Sequence, residues 1–194
     1  GPVQLQIKKL CHPLRQCRPV PILGGSPFVN KLLANTFHQV IDHVFNNGAK
    51  VLSPEHFTAL AKSLDEAGFA VWVMGSAKDK PAGEAIAAGS AAIDICGETS
   101  LEDVIDLLGY AGQAVSNDSG LMHVAAAVGT FVHAIYGSSS PRFTPPLTAR
   151  RQIHWLELEC SPCFKRECPL EHLNCLRKIE PATIGAAIAA AAGN

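Results

Sequence analysis

Short apolar runs alternate with amphipathic stretches along most of the chain, and this alternation predicts the order of its elements. Runs that are apolar at nearly every position are typical of parallel strands buried on both faces. They occur at 69–74, 93–96 and 131–136, and a further short strand is expected to end at 113–115. Apolar residues three and four positions apart predict helices between them. These helices are expected at 54–67, 83–92, 101–110, 121–128 and 184–192. Strands alternating with helices predict an α/β fold with a Rossmann-like parallel sheet and helices on both faces.

The first quarter of the chain has a weaker pattern. Prolines and the Gly24-Gly25 pair interrupt any long periodic element in residues 1–30. Apolar residues at helical spacing then predict a helix over 30–45, which Asn47-Gly48 would end. We therefore expect a poorly patterned N-terminal extension, residues 1–47, followed by one domain over 48–194.

The stretch from Val115 to Gly137 contains the strongest candidate for a ligand site. It predicts a strand, a polar turn, a helix and a second strand, and ligands of such sheets bind where the turns enter the helices. Asp118 or Ser119 is suited to cap the helix, and Gly120 would let a ligand approach the backbone. The helix start favours an anion such as phosphate, and His123 lies in its first turn. The alternative is an ordinary capped helix with a surface histidine.

Composition narrows the classes of partner. Hydrophobic residues make up 47% and charged residues 17% of the 194 positions, which is ordinary for a globular α/β domain. The formal net charge of −1 gives no sign of a nucleic-acid partner. The sequence contains no apolar run of about 18 residues, so no transmembrane segment is expected.

Seven cysteines, an odd number with four of them clustered, favour a reducing compartment over a secreted disulfide framework. The clustered residues give the pattern C-x2-C-x4-C-x3-H-x2-C from Cys160 through Cys163, Cys168 and His172 to Cys175. Two close thiols with further soft ligands nearby predict a structural zinc site, with the four cysteines as the candidate metal ligands. Disulfides and free thiols remain alternatives.

Three motifs together carry a family resemblance. They are G-S-A-K-D at 75–79, S-N-D-S-G-L-M-H-V-A-A-A at 116–127 and Y-G-S-S-S-P-R-F-T-P-P-L at 136–147. This set resembles the lipopolysaccharide heptosyltransferases, in their heptosyltransferase II branch, from about Ala49 to Pro181. The resemblance implies one lobe of a two-lobed GT-B glycosyltransferase, the C-terminal lobe that binds the sugar-nucleotide donor. Residues 1–47 would then be an extension or a remnant of the acceptor lobe.

The resemblance also implies roles for individual residues. Lys50 is the counterpart of a lysine that contacts the donor phosphates, although a solvated loop lysine is the alternative. Asp79 corresponds to an acidic residue that holds the donor ribose or sugar, with a simple capping role as the alternative. Thr99 lies in the loop expected beside the adenine. The remaining donor-binding candidates are Asp118, Ser119, Gly120 and His123.

The implied function is transfer of heptose from ADP-L-glycero-D-manno-heptose to the lipopolysaccharide inner core, by an inverting displacement that requires no cofactor. The acceptor would be lipid A-Kdo-heptose at a membrane surface, and the location cytoplasmic, peripheral at the inner membrane of a Gram-negative bacterium. No catalytic residue is identifiable in this chain, because the general base is expected in the missing N-terminal lobe. Two alternatives stay open: a truncated, non-catalytic ADP-sugar-binding relative, and an interaction module built on the cysteine cluster.

Overall fold

A single parallel sheet organises the domain. The computed structural model describes residues 38–42 and 51–192, with side chains from residue 51 onward. The sheet has six strands in the order β3-β2-β1-β4-β5-β6, and every neighbouring pair is parallel. The strands are β1 (His38–Asp42), β2 (Ala70–Met74), β3 (Ile93–Asp94), β4 (Gln113–Asn117), β5 (Phe131–Ile135) and β6 (Arg151–His154).

Helices cover both faces of the sheet, as the sequence predicts. They are α1 (Pro54–Glu66), α2 (Lys80–Ala88), α3 (Leu101–Tyr110), α4 (Gly120–Val128), α5 (Asn174–Arg177) and α6 (Pro181–Ala192), with a 3-10 turn at Ala77–Asp79. Successive side chains of β2 enter different cores: Val71 and Val73 pack with α1 and α6, whereas Trp72 and Met74 pack with α3 and α4. This division between two buried faces explains why the strand is apolar at every position. In the part of the chain that the structure describes, no helix is long and apolar enough to cross a bilayer.

Local signals set several helix boundaries correctly. Ser100 caps α3 through a reciprocal capping box with Asp103, and α4 ends at Gly129 in the left-handed conformation, with a φ of 87°. The helix predicted over 83–92 begins earlier than expected, at Lys80, and ends at Ala88. Pro81 occupies the first turn of that helix, where its missing N–H costs nothing.

Two predictions are corrected: the helix over 30–45 and the start of the domain at residue 48. The helix predicted over 30–45 is wrong at His38–Asp42, which forms β1 and pairs with both β2 and β4. A short apolar pattern does not distinguish a central strand from a helix, and pairing on both sides decides in favour of the strand. The domain predicted to start at residue 48 therefore includes this earlier strand. β6 was not predicted, because its letters R-Q-I-H are those of an edge strand in which Arg151 and Gln152 are exposed.

A buried polar chain crosses β4, β5 and β6. His133 Nε2 donates to Gln113 Oε1 at 2.6 Å, so the neutral ring accepts at Nδ1 from His154 Nε2 at 3.2 Å. Gln113 Nε2 in turn donates to the carbonyl of Ile188 in α6 at 2.9 Å. Burial lowers the pKa of His133 to about 3, with the neighbouring His154 adding to the effect, and burial lowers the pKa of His154 to about 4. Both rings are therefore neutral at pH 7.

We predict that this histidine pair makes the domain sensitive to acid. Because the unfolded rings bind protons near pH 6.5 and the folded rings do not, stability is complete above that pH and falls as the pH is lowered. Between pH 6.5 and 5 each ring should lower the free energy of unfolding by about 2 kcal/mol. Urea unfolding across this range should show a smaller pH slope in His154→Gln than in wild type. The exposed-histidine control His123→Gln should keep the wild-type slope, and an unchanged slope in His154→Gln would contradict the assignment.

Candidate functional site

The strand order creates a crevice beyond the carboxyl ends of β1 and β4. The chain builds outward from β1 through β2 to β3, and then crosses back to build β4, β5 and β6 on the other side. Ligands of open parallel sheets bind at such a reversal point. The residues that directly follow β4 are Asp118 and Ser119, and α4 begins at Gly120. The fold therefore places the predicted polar turn at this reversal point.

Asn117 joins the two sides of the crevice. Its Oδ1 accepts a buried hydrogen bond of 3.0 Å from the backbone N–H of Leu52, which lies in the segment between β1 and α1. The amide nitrogen of the same side chain is buried without a hydrogen-bond partner in the described residues. The sequence analysis did not single out Asn117, because its role depends on a residue 65 positions away.

The start of α4 is open. Ser119 occupies the N-cap position but makes no side-chain capping bond, which corrects the expected cap; its Oγ lies 3.1 Å from Ser116 Oγ instead. A Cβ at Gly120 would meet no atom of the described residues within 4 Å. His123 lies one turn further along the same side of the helix and is exposed. The first turn of α4 therefore presents backbone and an imidazole to open space.

The loop after β5, residues 137–147, is held beside the start of α4. Tyr136 donates from its hydroxyl to the carbonyl of Thr144 at 2.6 Å, and Thr144 Oγ1 donates to Asp118 Oδ1 at 3.0 Å. Burial, followed by the charge of Asp118, raises the pKa of Tyr136, which keeps its hydroxyl a donor. The hydroxyls of Ser138 and Ser139 are buried and have no hydrogen-bond partner in the described residues. Unsatisfied donors therefore lie at the ends of two adjacent strands, β4 and β5.

The other predicted donor-binding residues lie further along the same sheet edge or outside the described residues. Asp79 follows β2, is 1% exposed, and accepts two hydrogen bonds of 2.6 Å from the amide and hydroxyl of Ser76. Its carboxylate therefore shapes the turn that leads into α2. Thr99 is half-buried in the loop between β3 and α3. Lys50 lies outside the described residues. The strand order separates Asp79 and Thr99 from Asp118 by β1.

The structure brings the four predicted metal-ligand cysteines to one pocket. Cys160, Cys163, Cys168 and Cys175 all line it, and none of them is in a disulfide. Backbone N–H groups, that of Leu173 foremost, lower the pKa of Cys168, whereas burial and the neighbouring thiols raise the pKa of Cys175. In the described residues, no three histidine, cysteine or acidic side chains already stand in the geometry of a bound metal ion.

The cysteine-bearing segment also contacts the 137–147 loop. Ser161 Oγ donates to the carbonyl of Gly137 at 2.6 Å, and the backbone N–H of Phe164 donates to the carbonyl of Ser138 at 2.7 Å. Ser138 itself lines the cysteine pocket. The loop is thus held by α4 through Thr144 on one side and by the cysteine segment on the other.

We predict that Asn117→Ala destabilises the domain by about 1–3 kcal/mol, because it leaves the buried N–H of Leu52 without its acceptor. Urea unfolding at neutral pH measures the change. Gln152→Ala, which truncates an exposed amide side chain on β6, is the matched control and should stay within about 0.5 kcal/mol of wild type. Equal stabilities of the two variants would show that the hydrogen bond between Asn117 and Leu52 contributes little.

Comparison with known proteins matches the chain to a family. The family model described as glycosyltransferase family 9 (heptosyltransferase) matches residues 34–174. Lipooligosaccharide heptosyltransferase 2 of Haemophilus influenzae is 41% identical over 104 residues, and lipopolysaccharide heptosyltransferase 2 of Escherichia coli K12 is 42% identical over 104 residues. Each match covers 50% of this chain and 30% of the relative.

The fold comparison agrees. The solved structure of E. coli ADP-heptose LPS heptosyltransferase II superposes with a TM-score of 0.73 at 29% identity, covering 89% of this chain and 55% of that one. The sequence matches therefore span about a third of these curated relatives, and the matched fold spans about half of the solved structure.

Proposed function

Because the chain belongs to glycosyltransferase family 9, the heptosyltransferases, we propose that its described domain binds the sugar-nucleotide donor in heptose transfer. The predicted resemblance and the Rossmann-like fold are both confirmed by the comparisons. The donor we propose is ADP-heptose, and the product is the heptosylated inner core of lipopolysaccharide. The observation that carries this proposal is the open start of α4 at the reversal point of the sheet.

An anionic diphosphate suits the start of α4. Helix N–H groups and the helix dipole favour negative charge at this end of α4. Gly120 adds no side chain that would keep phosphate oxygens away from the backbone. Asn117 and Ser139 supply additional buried donors at the ends of the adjoining strands.

The same groups would assist the chemical step. In an inverting transfer, the acceptor hydroxyl loses its proton to a general base, and its oxygen attacks the anomeric carbon as the bond to the diphosphate breaks. Negative charge then builds on the departing ADP. Fixed N–H donors at the start of α4 stabilise that charge without having to reorganise. Transfer on this scheme needs no metal ion at the donor site.

The matches cover 30% of the length of these relatives, and we place the general base and the lipid acceptor site in the part of such proteins that the matches do not cover. The acceptor we propose is a lipid A-Kdo-heptose presented at the cytoplasmic surface of a membrane. This chain by itself should therefore bind the donor without transferring the sugar.

The remaining donor contacts are proposed for the loops that flank the crevice. Asp79 would act mainly by fixing the turn after β2, since its carboxylate is already hydrogen-bonded to Ser76. Thr99 would approach the adenine from the loop after β3, and Lys50 would contact the phosphates. His123, exposed beside Gly120, would offer a further donor to the diphosphate or sugar.

We predict that Gly120→Leu lowers the affinity for ADP about tenfold or more, a loss of about 1.4 kcal/mol, by filling the space above the helix start. Titration calorimetry with ADP and a stable ADP-heptose analogue measures the effect. Gly109→Leu is the matched control, since Gly109 also lies in a helix with no atom near its missing Cβ. Equal affinities of both variants would argue against a ligand at α4, and no binding by wild type would refute donor binding by this chain.

A second pair of variants tests how Asp118 contributes. We predict that Asp118→Ala abolishes measurable ADP-heptose binding while its circular dichroism stays unchanged. Thr144→Val removes only the 3.0 Å bond to Asp118 Oδ1. If Asp118 acts by holding the 137–147 loop, both variants should weaken binding to a similar extent in calorimetry. If the carboxylate of Asp118 contacts the donor, Thr144→Val should retain most of the affinity for ADP-heptose. Wild-type affinity in Asp118→Ala would exclude both roles.

A further inference from the structure

We propose that Cys160, Cys163, Cys168 and Cys175 hold a transition-metal ion by four thiolates, zinc or iron, at a structural site separate from the proposed donor crevice. These four side chains line one small pocket. A metal ion there would not depend on whether the domain binds a sugar nucleotide.

The first observation is the convergence of the thiols. The four cysteines come from irregular segments and from the short helix α5, yet they line a single pocket as free thiols. Four soft ligands that line one pocket match the ligand type and number that zinc and thiolate-bound iron prefer. The pocket contains no acidic side chain among its lining residues, so no hard oxygen ligand competes.

His172 is the fifth candidate ligand, and the structure gives it another role. Its Nδ1 accepts a hydrogen bond of 3.0 Å from the backbone N–H of Asn174, and its carbonyl accepts from Arg177. These contacts shape the turn that delivers Cys175 at the start of α5. The ligand set is therefore four cysteines, with the histidine supporting the turn.

The second observation is the hydroxyl of Ser138. It lines the same pocket, is fully buried, and has no hydrogen-bond partner in the described residues. A buried hydroxyl without a partner is unfavourable, and neutral thiols are weak acceptors. A metal-bound thiolate is a strong acceptor, and such outer-shell hydrogen bonds are a regular feature of metal sites. Ser138 is thus suited to donate to one of the ligand sulfurs.

The third observation is the backbone around the pocket. Phe164, Glu171 and Leu173 all adopt left-handed conformations, with φ of 55°, 56° and 51°. Residues other than glycine, asparagine and aspartate rarely adopt this backbone conformation unless the surrounding structure enforces it. Such enforced conformations are expected of loops that wrap a thiolate–metal centre.

Occupation of the site requires the sulfurs to move closer together. The thiols surround the pocket, but no three potential ligands in the described residues already stand in metal-binding geometry. Cys160, Cys163 and Cys168 are half-buried and lie outside helices and strands. Rotation of these side chains would bring the sulfurs inward without disturbing regular structure. The ion would then also fix Ser161 and Phe164, which hydrogen-bond the start of the 137–147 loop.

The test uses the full chain purified under reducing conditions from cells supplied with zinc and iron. Elemental analysis should find about one ion of zinc or iron per chain, and the element found identifies the native metal. The double variant Cys160→Ser/Cys163→Ser should lose the ion. Cys96→Ala, which removes a buried thiol outside the pocket, should retain it.

A second readout avoids dependence on a cysteine variant that fails to fold. Metal-free wild type titrated with Co²⁺ should develop the absorption of a tetrahedral thiolate complex at about one equivalent. Ser138→Ala should weaken Co²⁺ affinity about 10- to 100-fold by removing the outer-shell donor.

Three results would overturn the proposal. They are no Co²⁺ complex in wild type, unchanged metal content in the double variant, or a mass of the freshly isolated chain that is lower by the two hydrogens lost for each disulfide among these cysteines. Neither measurement uses a nucleotide, so failure here is distinct from failure to bind ADP.

Discussion

β4 pairs with β1 through residues 113–116 and 39–42, and this parallel contact reverses the direction in which the chain builds its sheet. Three strands lie on one side of the contact and three on the other, counting the pair itself. The reversal leaves a crevice beyond the ends of these two strands, and it determines that α4 starts there. The site is therefore a consequence of strand order, and its side chains only refine it.

Buried hydrogen bonds make this arrangement specific. The amide of Leu52 finds its acceptor on Asn117, which links the segment after β1 to the end of β4. On the other side of β4, the chain from Gln113 through His133 to His154 ties β4, β5 and β6 together. Each of these polar groups would be costly if left unpaired, so a shift of one strand against its neighbour is penalised at several points at once.

The elements that sequence predicted well are those whose signals are local. The apolar run over Ala70–Met74 and the capping box before Leu101–Tyr110 each depend on neighbouring letters only. β1 was mistaken for a helix because five residues with apolar spacing fit either period, and its pairing with β2 and β4 is not encoded within the segment. The polar edge strand β6 escaped notice because an edge strand buries little.

The candidate site divides in the same way. Asp118, Ser119 and Gly120 could be named from the strand–turn–helix grammar, and the cysteines from their spacing. Asn117 and Ser138 could not, because each became significant only through burial beside residues distant in sequence. Burial of a polar group is a property of the folded chain, and a single sequence does not display which hydroxyls or amides will lose their water.

The loop at 137–147 shows why such groups matter to function. It contains no helix or strand, so its position depends on three hydrogen bonds. Tyr136 donates to the carbonyl of Thr144, the hydroxyl of Thr144 donates to Asp118, and the N–H of Phe164 donates to the carbonyl of Ser138. Electrostatic stabilisation of a departing diphosphate requires donors that are already in place, since reorganisation would consume the gain. A loop held at only one end would not meet that requirement. On the proposed function, the cysteine segment, although remote in sequence from Asp118, would contribute to preorganisation by restraining the second end of the loop.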